Sequence, residues 1–246
     1  VAEAEAAPVQ GWDFSWLDGR ATEERPPWGY AARVVDRLGG AGSVLDLQTG
    51  GGEVFAEILG RARPAPARAA ATEGWPTNQV LARERLEPLG VTVAGIADDD
   101  PLPFPDRSLD LIVSRHPTVV RFDEVARTLA PTGRYLAQHI GPGSNRELTD
   151  FLMGPQPVSD LRSAGRAVRE AEAAGLEVLD LREATLEVAF FDIGAVVWFL
   201  RKVVWAVPGF TVARYRPRLE ALHRRMEAGR PFVSHATRFL LEAAPR

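Results

Sequence analysis

From Val44 the chain runs Val-Leu-Asp-Leu, then Gln48-Thr49-Gly50-Gly51-Gly52-Glu53, then Val54-Phe55-Ala56-Glu57-Ile58-Leu59 with its apolar residues at helical spacing. An apolar strand that carries a carboxylate, a turn of glycines and a helix directly behind it admit few folds. Glycines let the backbone bend sharply and approach another group with no Cβ in the way, and the first turn of the helix leaves N–H groups without intrahelical acceptors. Such a junction is suited to holding a small cofactor, with an anionic part set against the helix start.

The rest of the chain repeats this plan. Short apolar runs alternate with amphipathic stretches, the pattern of a parallel sheet covered by helices. Strands are expected at Ser43 to Leu47, Arg68 to Thr72, Val91 to Ile96, Leu109 to Ser114, Arg134 to Ile140, Leu176 to Leu181 and Val233 to Leu241. Between them lie a helix from Pro76 to about Leu86, a short one from Phe122 to Leu129 that turns through Pro131-Thr132-Gly133, and one capped by Ser159 or Asp160 that ends at Gly175. Two helices precede the last strand. Asp192 can cap Ile193 to Val204, apolar on nearly every face, and Val212 to Ala228 is strongly basic. A helix apolar all round is either covered on every side or lines an apolar cavity. In the second case Trp198, Phe199 and Trp205 are available for stacking.

At 246 residues, 46% of them hydrophobic, the chain can build a substantial core as one elaborated domain. Only Val1 to Gln10, rich in Ala and Glu, reads as disordered. There is no cysteine, so disulfides, zinc–thiolate sites and a cysteine nucleophile are excluded, and no metal is expected. No apolar run is long enough to span a bilayer and no signal sequence leads the chain, which makes a cytoplasmic enzyme without membrane contact the expectation. The net charge is −4, unevenly spread. Between Arg201 and Arg230 eight basic residues face only Glu220 and Glu227, a local +6 that leaves −10 for the remainder.

A dinucleotide fingerprint would require a third glycine where Phe55 stands. The chain instead resembles the class I S-adenosylmethionine-dependent methyltransferases, whose first motif is strand–Asp/Glu–x–Gly–x–Gly–x–Gly. Asp46, Gly50 and Gly52 fit it, with Gln48 in the place of the first glycine. Glu73 closes the second strand, where such enzymes grip the ribose, and Ala97-Asp98-Asp99-Asp100-Pro101-Leu102-Pro103-Phe104-Pro105-Asp106-Arg107-Ser108-Leu109-Asp110 is similar to the family's Gly-Asp-Ala-x-x-Leu-Pro-Phe-x-Asp-x-Ser-Phe-Asp segment. The resemblance implies a Rossmann-like methyltransferase sandwich: a mostly parallel seven-stranded sheet with an antiparallel last strand and a helical insertion before it. It also implies S-adenosylmethionine as cofactor, held by Asp46, Gln48, Thr49, Gly50, Gly52, Glu73, Gly74, Trp75, Asp98, Asp99 and Ser114. In that scheme Asp46 accepts from the ammonium, the N–H groups of Thr49 to Gly51 face the carboxylate, Glu73 takes two ribose hydroxyls, Asp98 takes the adenine amino group and Trp75 covers the ring. Trp28 and Tyr30 either close over the cofactor or pack against the sheet.

Methyl transfer from a sulfonium chiefly demands proximity and alignment, so a general base is optional. Two histidines stand at the carboxyl ends of strands, His116 in Ser114-Arg115-His116-Pro117 and His139, and both are candidates. Ser-Arg-His-Pro is not the Asn/Asp-Pro-Pro-Tyr/Phe motif of DNA and protein-glutamine methyltransferases. A small-molecule acceptor is therefore expected, met by an amino-terminal cap over residues 1–40 and a helical insertion over residues 186–232. Two alternatives stand beside it: an RNA methyltransferase that uses the basic 201–230 segment, and a non-catalytic protein that binds S-adenosylmethionine. The oligomeric state is open.

Overall fold

The computed structural model describes every residue except Gln10, Glu227 and Ala228. The ends of the expected disordered segment (Gln10) and of the expected basic helix (Ala228), and the charge on Glu227, therefore lie outside the described residues. Along the chain the elements are α1 (Ala2–Ala6), β1 (Ala21–Glu23), α2 (Tyr30–Leu38), β2 (Ser43–Leu47), α3 (Glu53–Arg61), β3 (Arg68–Glu73), α4 (Pro76–Leu86), β4 (Val91–Gly95), β5 (Leu109–Arg115), α5 (Phe122–Thr128), β6 (Leu129–Ile140), α6 (Arg146–Met153), α7 (Ala164–Ala173), β7 (Leu176–Phe190), α8 (Ile193–Lys202), α9 (Val212–Met226) and β8 (Phe232–Pro245).

The strands form a mixed sheet in the order β1-β7-β8-β6-β5-β2-β3-β4. β4, β3, β2, β5 and β6 are parallel neighbours, and β8 runs antiparallel to β6, as the sequence led us to expect of the last strand. The sheet has eight strands rather than seven. The addition is β1, whose three residues pair antiparallel with Val188, Ala189 and Phe190 of β7. All five residues of β2 are buried, as they must be in a parallel strand covered on both faces. Successive residues point to opposite sides. Leu45 and Ile112 accordingly enter a core with Phe122, Tyr135 and Leu176, while Val44, Leu111 and Val113 enter another with Phe55, Ile58 and Leu86. Each such apolar side chain contributes about 1.5–3 kcal/mol by leaving water.

Several elements depart from expectation. The amino-terminal residues expected to be disordered include α1, with Ala4 buried. α7 is capped by Ser163, whose side chain accepts from the Arg166 N–H, and not by Ser159 or Asp160. Pro131-Thr132-Gly133 is not a turn before the strand but part of β6. The extra residues are absorbed as an irregularity, with Leu109 opposite Leu129 and Leu111 opposite Arg134.

The chain divides into two compact units. One comprises Pro26–Gly141, Asp160–Ala184 and Arg238–Arg246 and holds both cores just described. The other comprises Val1–Arg25, Pro142–Ser159 and Thr185–Thr237. In that second unit α8 is a core helix. Asp192 caps it by accepting from the Ala195 N–H at 3.0 Å, as expected, and also receives Arg20 through two hydrogen bonds of 2.9 and 3.0 Å. Trp198 stacks on Trp16 at 5.5 Å and donates to the Pro8 carbonyl, so the apolar face is covered from within its own unit. No helix among the described residues is long and apolar enough to cross a membrane.

Candidate active site

Strand order reverses between β5 and β2, and in open α/β sheets ligands bind beyond the carboxyl ends of the strands at such a switch point. A cleft opens there, lined among others by Gln48, Thr72, Ile96, Asp98, Val119 and Arg121. Asp46, at the end of β2, and Glu73, at the end of β3, are both 6% exposed. Burial pushes the Asp46 carboxyl up to about 7, and the nearby Glu73 adds to this; the Thr49 hydroxyl and the Arg115 guanidinium draw it only partly back. Burial raises Glu73 as well. Neither carboxylate makes an ion pair among the described residues. Two buried acids so placed, each short of a cation, form an acceptor set suited to a ligand that brings its own positive charge and hydroxyl donors.

Glu73 also organises the turn. Its Oε2 accepts from the Gly50 N–H and its Oε1 from the Trp75 N–H, both at 2.8 Å. The Thr49 N–H is taken by the Thr72 carbonyl at 2.9 Å and the Gly52 N–H by the Thr49 carbonyl at 3.2 Å. The expectation that the amides of Thr49 to Gly51 together face a ligand is thus corrected, because the protein uses those of Thr49 and Gly50 itself. Ser114 is likewise committed. It is fully buried, and its hydroxyl donates to the Leu47 carbonyl at 2.7 Å, fastening β5 to β2 at the reversal. Gly74 is a place of close approach, since a Cβ there would sit 2.9 Å from Asp98 Oδ1 and 3.1 Å from the Ile96 carbonyl. Trp75 is half exposed at the start of α4, and Asp99 is exposed, its carbonyl accepting from Arg121 at 2.8 Å.

Gln48 occupies the left-handed region at φ 55°, the conformation a glycine adopts freely and a side chain does not. Its carboxamide points to the segment after β5: Nε2 donates to the Val119 carbonyl at 2.5 Å, and Oε1 accepts from the Thr118 N–H at 2.6 Å. The Thr118 hydroxyl in turn donates to Asp98 Oδ2.

The two histidines part company. His139 is buried, stacked on Phe239 at 4.3 Å, and its Nε2 lies 3.4 Å from the Tyr135 hydroxyl. Burial lowers it to about 3, so it stays neutral at neutral pH and is a core residue, not a base. His116 has φ 65° and belongs to a buried relay. Trp28 Nε1 donates to Gln138 Oε1 at 2.8 Å, which fixes the Gln138 amide so that its NH2 donates to His116 Nε2 at 2.9 Å. The remaining imidazole proton is on Nδ1. Burial, with Arg115, Arg238 and His139 nearby, holds His116 well below its ordinary pKa, so it too is neutral and a weak base. Trp28 and Tyr30, both buried, pack rather than close over a ligand.

No protein-family model matches the chain, and no curated protein matches it. Solved structures do. The chain is similar to the YcgJ protein of Bacillus subtilis, at 18% identity over 88% of this chain and 98% of that one, with a TM-score of 0.61. It is similar to geranyl diphosphate C-methyltransferase from Streptomyces coelicolor A3(2), at 17% identity over 88% and 77%, with a TM-score of 0.52. The fold is that of the class I S-adenosylmethionine-dependent methyltransferases. The same fold is shared by the [4+2]-cyclase SpnF, 17% identical over 87% of this chain and 79% of that one with a TM-score of 0.54, so the architecture alone does not name a reaction.

On this methyltransferase fold the sequence-derived acids Asp46, Glu73 and Asp98 lie at the ends of, or just beyond, β2, β3 and β4. Thr118, Val119, Arg121 and Gln138 escaped the sequence reading, because their roles depend on partners 20 to 110 residues away. The available signal was Gln48 itself, a side chain where a glycine belongs. In the second unit, α9 buries Val212, Tyr215, Leu219, Leu222 and Met226 and exposes Arg214, Arg216, Arg218, Arg224 and Arg225, none of which forms an ion pair among the described residues. Trp198 is engaged by Trp16, and Phe199 by Phe190 at 5.3 Å, whereas Trp205 is half exposed.

Proposed function

We propose that this chain is an S-adenosylmethionine-dependent methyltransferase acting on a small molecule, with transfer to an O, N or C nucleophile. The observation that carries the reading is the pair of buried carboxylates, Asp46 and Glu73, at adjacent parallel strand ends, neither in an ion pair among the described residues. When bound, S-adenosylmethionine supplies an activated methyl group on a sulfonium. Asp46 suits its ammonium, Glu73 retains lone pairs for ribose hydroxyls beyond the two amides it accepts, and Asp98, beside the apolar Ile96, Leu102 and Val119, suits an amino-bearing ring. The protein's contribution is to bind, orient and exclude water. His116, neutral and held by Gln138, serves as an orienting hydrogen-bond donor through Nδ1 and not as a base. The insertion over residues 186–232 and the amino-terminal segment are assigned to acceptor selection.

Calorimetry with S-adenosylmethionine tests the reading. Binding is expected, weakened at least tenfold by Asp46→Ala or Glu73→Ala, with none for NAD. Absence of binding at millimolar cofactor would sink it, and binding without transfer to any fraction of a cell extract would favour the non-catalytic alternative.

A second reading, transfer to RNA, draws on the exposed arginines of α9. Arg214, Arg218 and Arg225 fall on one face at helical spacing, and arginines neutralising phosphates would supply affinity. Incubation with methyl-labelled cofactor and separated RNA and metabolite fractions decides between the two.

A further inference from the structure

We propose that Gln48 and Thr118 form a positioning clamp that sets the Asp98 carboxylate to distinguish an amino-bearing purine from its oxo counterpart, an inference that rests on the cofactor reading above and deepens it. Gln48 offers one donor and one acceptor to the backbone of two consecutive residues of a single segment, at 2.5 Å to the Val119 carbonyl and 2.6 Å from the Thr118 N–H. Two antiparallel bonds fix both position and orientation, which a glycine at 48 could not do. The left-handed φ of Gln48 is unfavourable for a side chain, and these bonds are what it gains in return.

The clamp determines where the Thr118 hydroxyl goes. That hydroxyl lies 3.1 Å from Gln48 Oε1 and also contacts Asp98 Oδ2. It has one proton for two acceptors. Gln48 Oε1 already receives a peptide N–H, and a carboxylate oxygen is the stronger acceptor, so the proton goes to Asp98. The other oxygen, Oδ1, lies against Gly74, where a Cβ would come within 2.9 Å. A second fastener, from Arg121 to the Asp99 carbonyl at 2.8 Å, holds the same two segments together. Asp98 is thereby held through Oδ2 beside the cleft, with Oδ1 against Gly74. It can take a hydrogen bond from an exocyclic amino group and repels an oxo group in the same place.

The test is calorimetric, on the whole chain, with S-adenosylhomocysteine and with its inosine counterpart, in which oxygen replaces the 6-amino group. The wild type is expected to prefer the adenine ligand by about tenfold or more. Thr118→Val, which keeps the shape and removes the hydroxyl, and Gln48→Gly should each bring that ratio to within about threefold, while Thr118→Ser retains it. Hydrogen exchange over residues 117–121 should also quicken in Gln48→Gly. A merely structural role would weaken both ligands alike, so an unchanged ratio in Thr118→Val and Gln48→Gly would overturn the clamp and leave the cofactor reading intact. Equal affinity of the wild type for both ligands would do the same. Binding of neither ligand would remove the cofactor reading, and the clamp with it.

Discussion

Asp46 carries a titration with consequences in two directions. Its carboxyl is raised from an ordinary 3.8 to about 7, so the folded chain holds the proton more tightly than the unfolded one. The stability it contributes is fully present below about pH 4 and is lost as pH rises through about 7. Urea titrations at pH 5 and pH 7.5 should show the ligand-free wild type losing stability relative to Asp46→Asn, which has no such proton to lose. A bound ammonium reverses the balance by favouring the ionised form. Binding of S-adenosylmethionine at pH 6.5 should therefore release protons, seen as a dependence of the calorimetric heat on buffer ionisation enthalpy, and Asp46→Asn should abolish the release. His139 acts in the opposite sense. Its folded pKa is depressed from 6.5 to about 3, so its contribution is present above about pH 6.5 and lost as pH falls through about 3. His139→Phe keeps the stack on Phe239 and should flatten the acid limb of the stability profile. At this scale the acids were legible and the histidines were not. A carboxylate at a strand end shows itself in its own neighbourhood, but His139 is made a core residue by Phe239, a hundred positions further on.

Among the elements, the irregular start of β6 has a sharp requirement at Gly133. A Cβ there would come within 2.8 Å of the Leu109 carbonyl and 2.9 Å of the Ala130 carbonyl, both backbone atoms that cannot swing aside. Gly133→Ala should cost about 1–3 kcal/mol in a thermal or urea melt, by overpacking where β5 and β6 meet. The sequence suggested a turn here because Pro-Thr-Gly is turn chemistry; what it could not show is that the sheet takes the extra residues in without interrupting the strand. Buried parallel strands read well: β2 has the expected bounds and β3, β4 and β5 differ by one residue, since uninterrupted apolar runs have few other uses. β7 extends nine residues beyond the expected Leu181, because its middle is polar. Asp180 and Arg182 look like loop residues until Arg33 is seen to pair with Asp180 at 2.8 Å. α2 buries Tyr30, Val34 and Leu38, spaced by four, a helical signal masked by the neighbouring Pro26 and Pro27.

Over the whole molecule, charge separates in a way that the net value of −4 conceals. If α9 serves a polyanion, the Arg214→Gln, Arg218→Gln, Arg225→Gln triple variant should elute from heparin at distinctly lower salt than the wild type. An unchanged elution position would mean that these exposed arginines do not meet a polyanion. The fold class and the acids at the strand ends could be read from local motifs; the division into two units could not, since each is assembled from three separate stretches of chain. The place of β8 in the sheet adds a constraint of a different kind, one on timing. This strand is made after both of its neighbours, yet it takes a position between β7 and β6 and not at a margin. Until residues 232–245 have emerged, both neighbours present open hydrogen-bonding edges, which invite pairing with other chains. The nascent protein must hold an unfinished sheet until β8 has been made, and chains cut short before Phe232 should be recovered in the insoluble fraction.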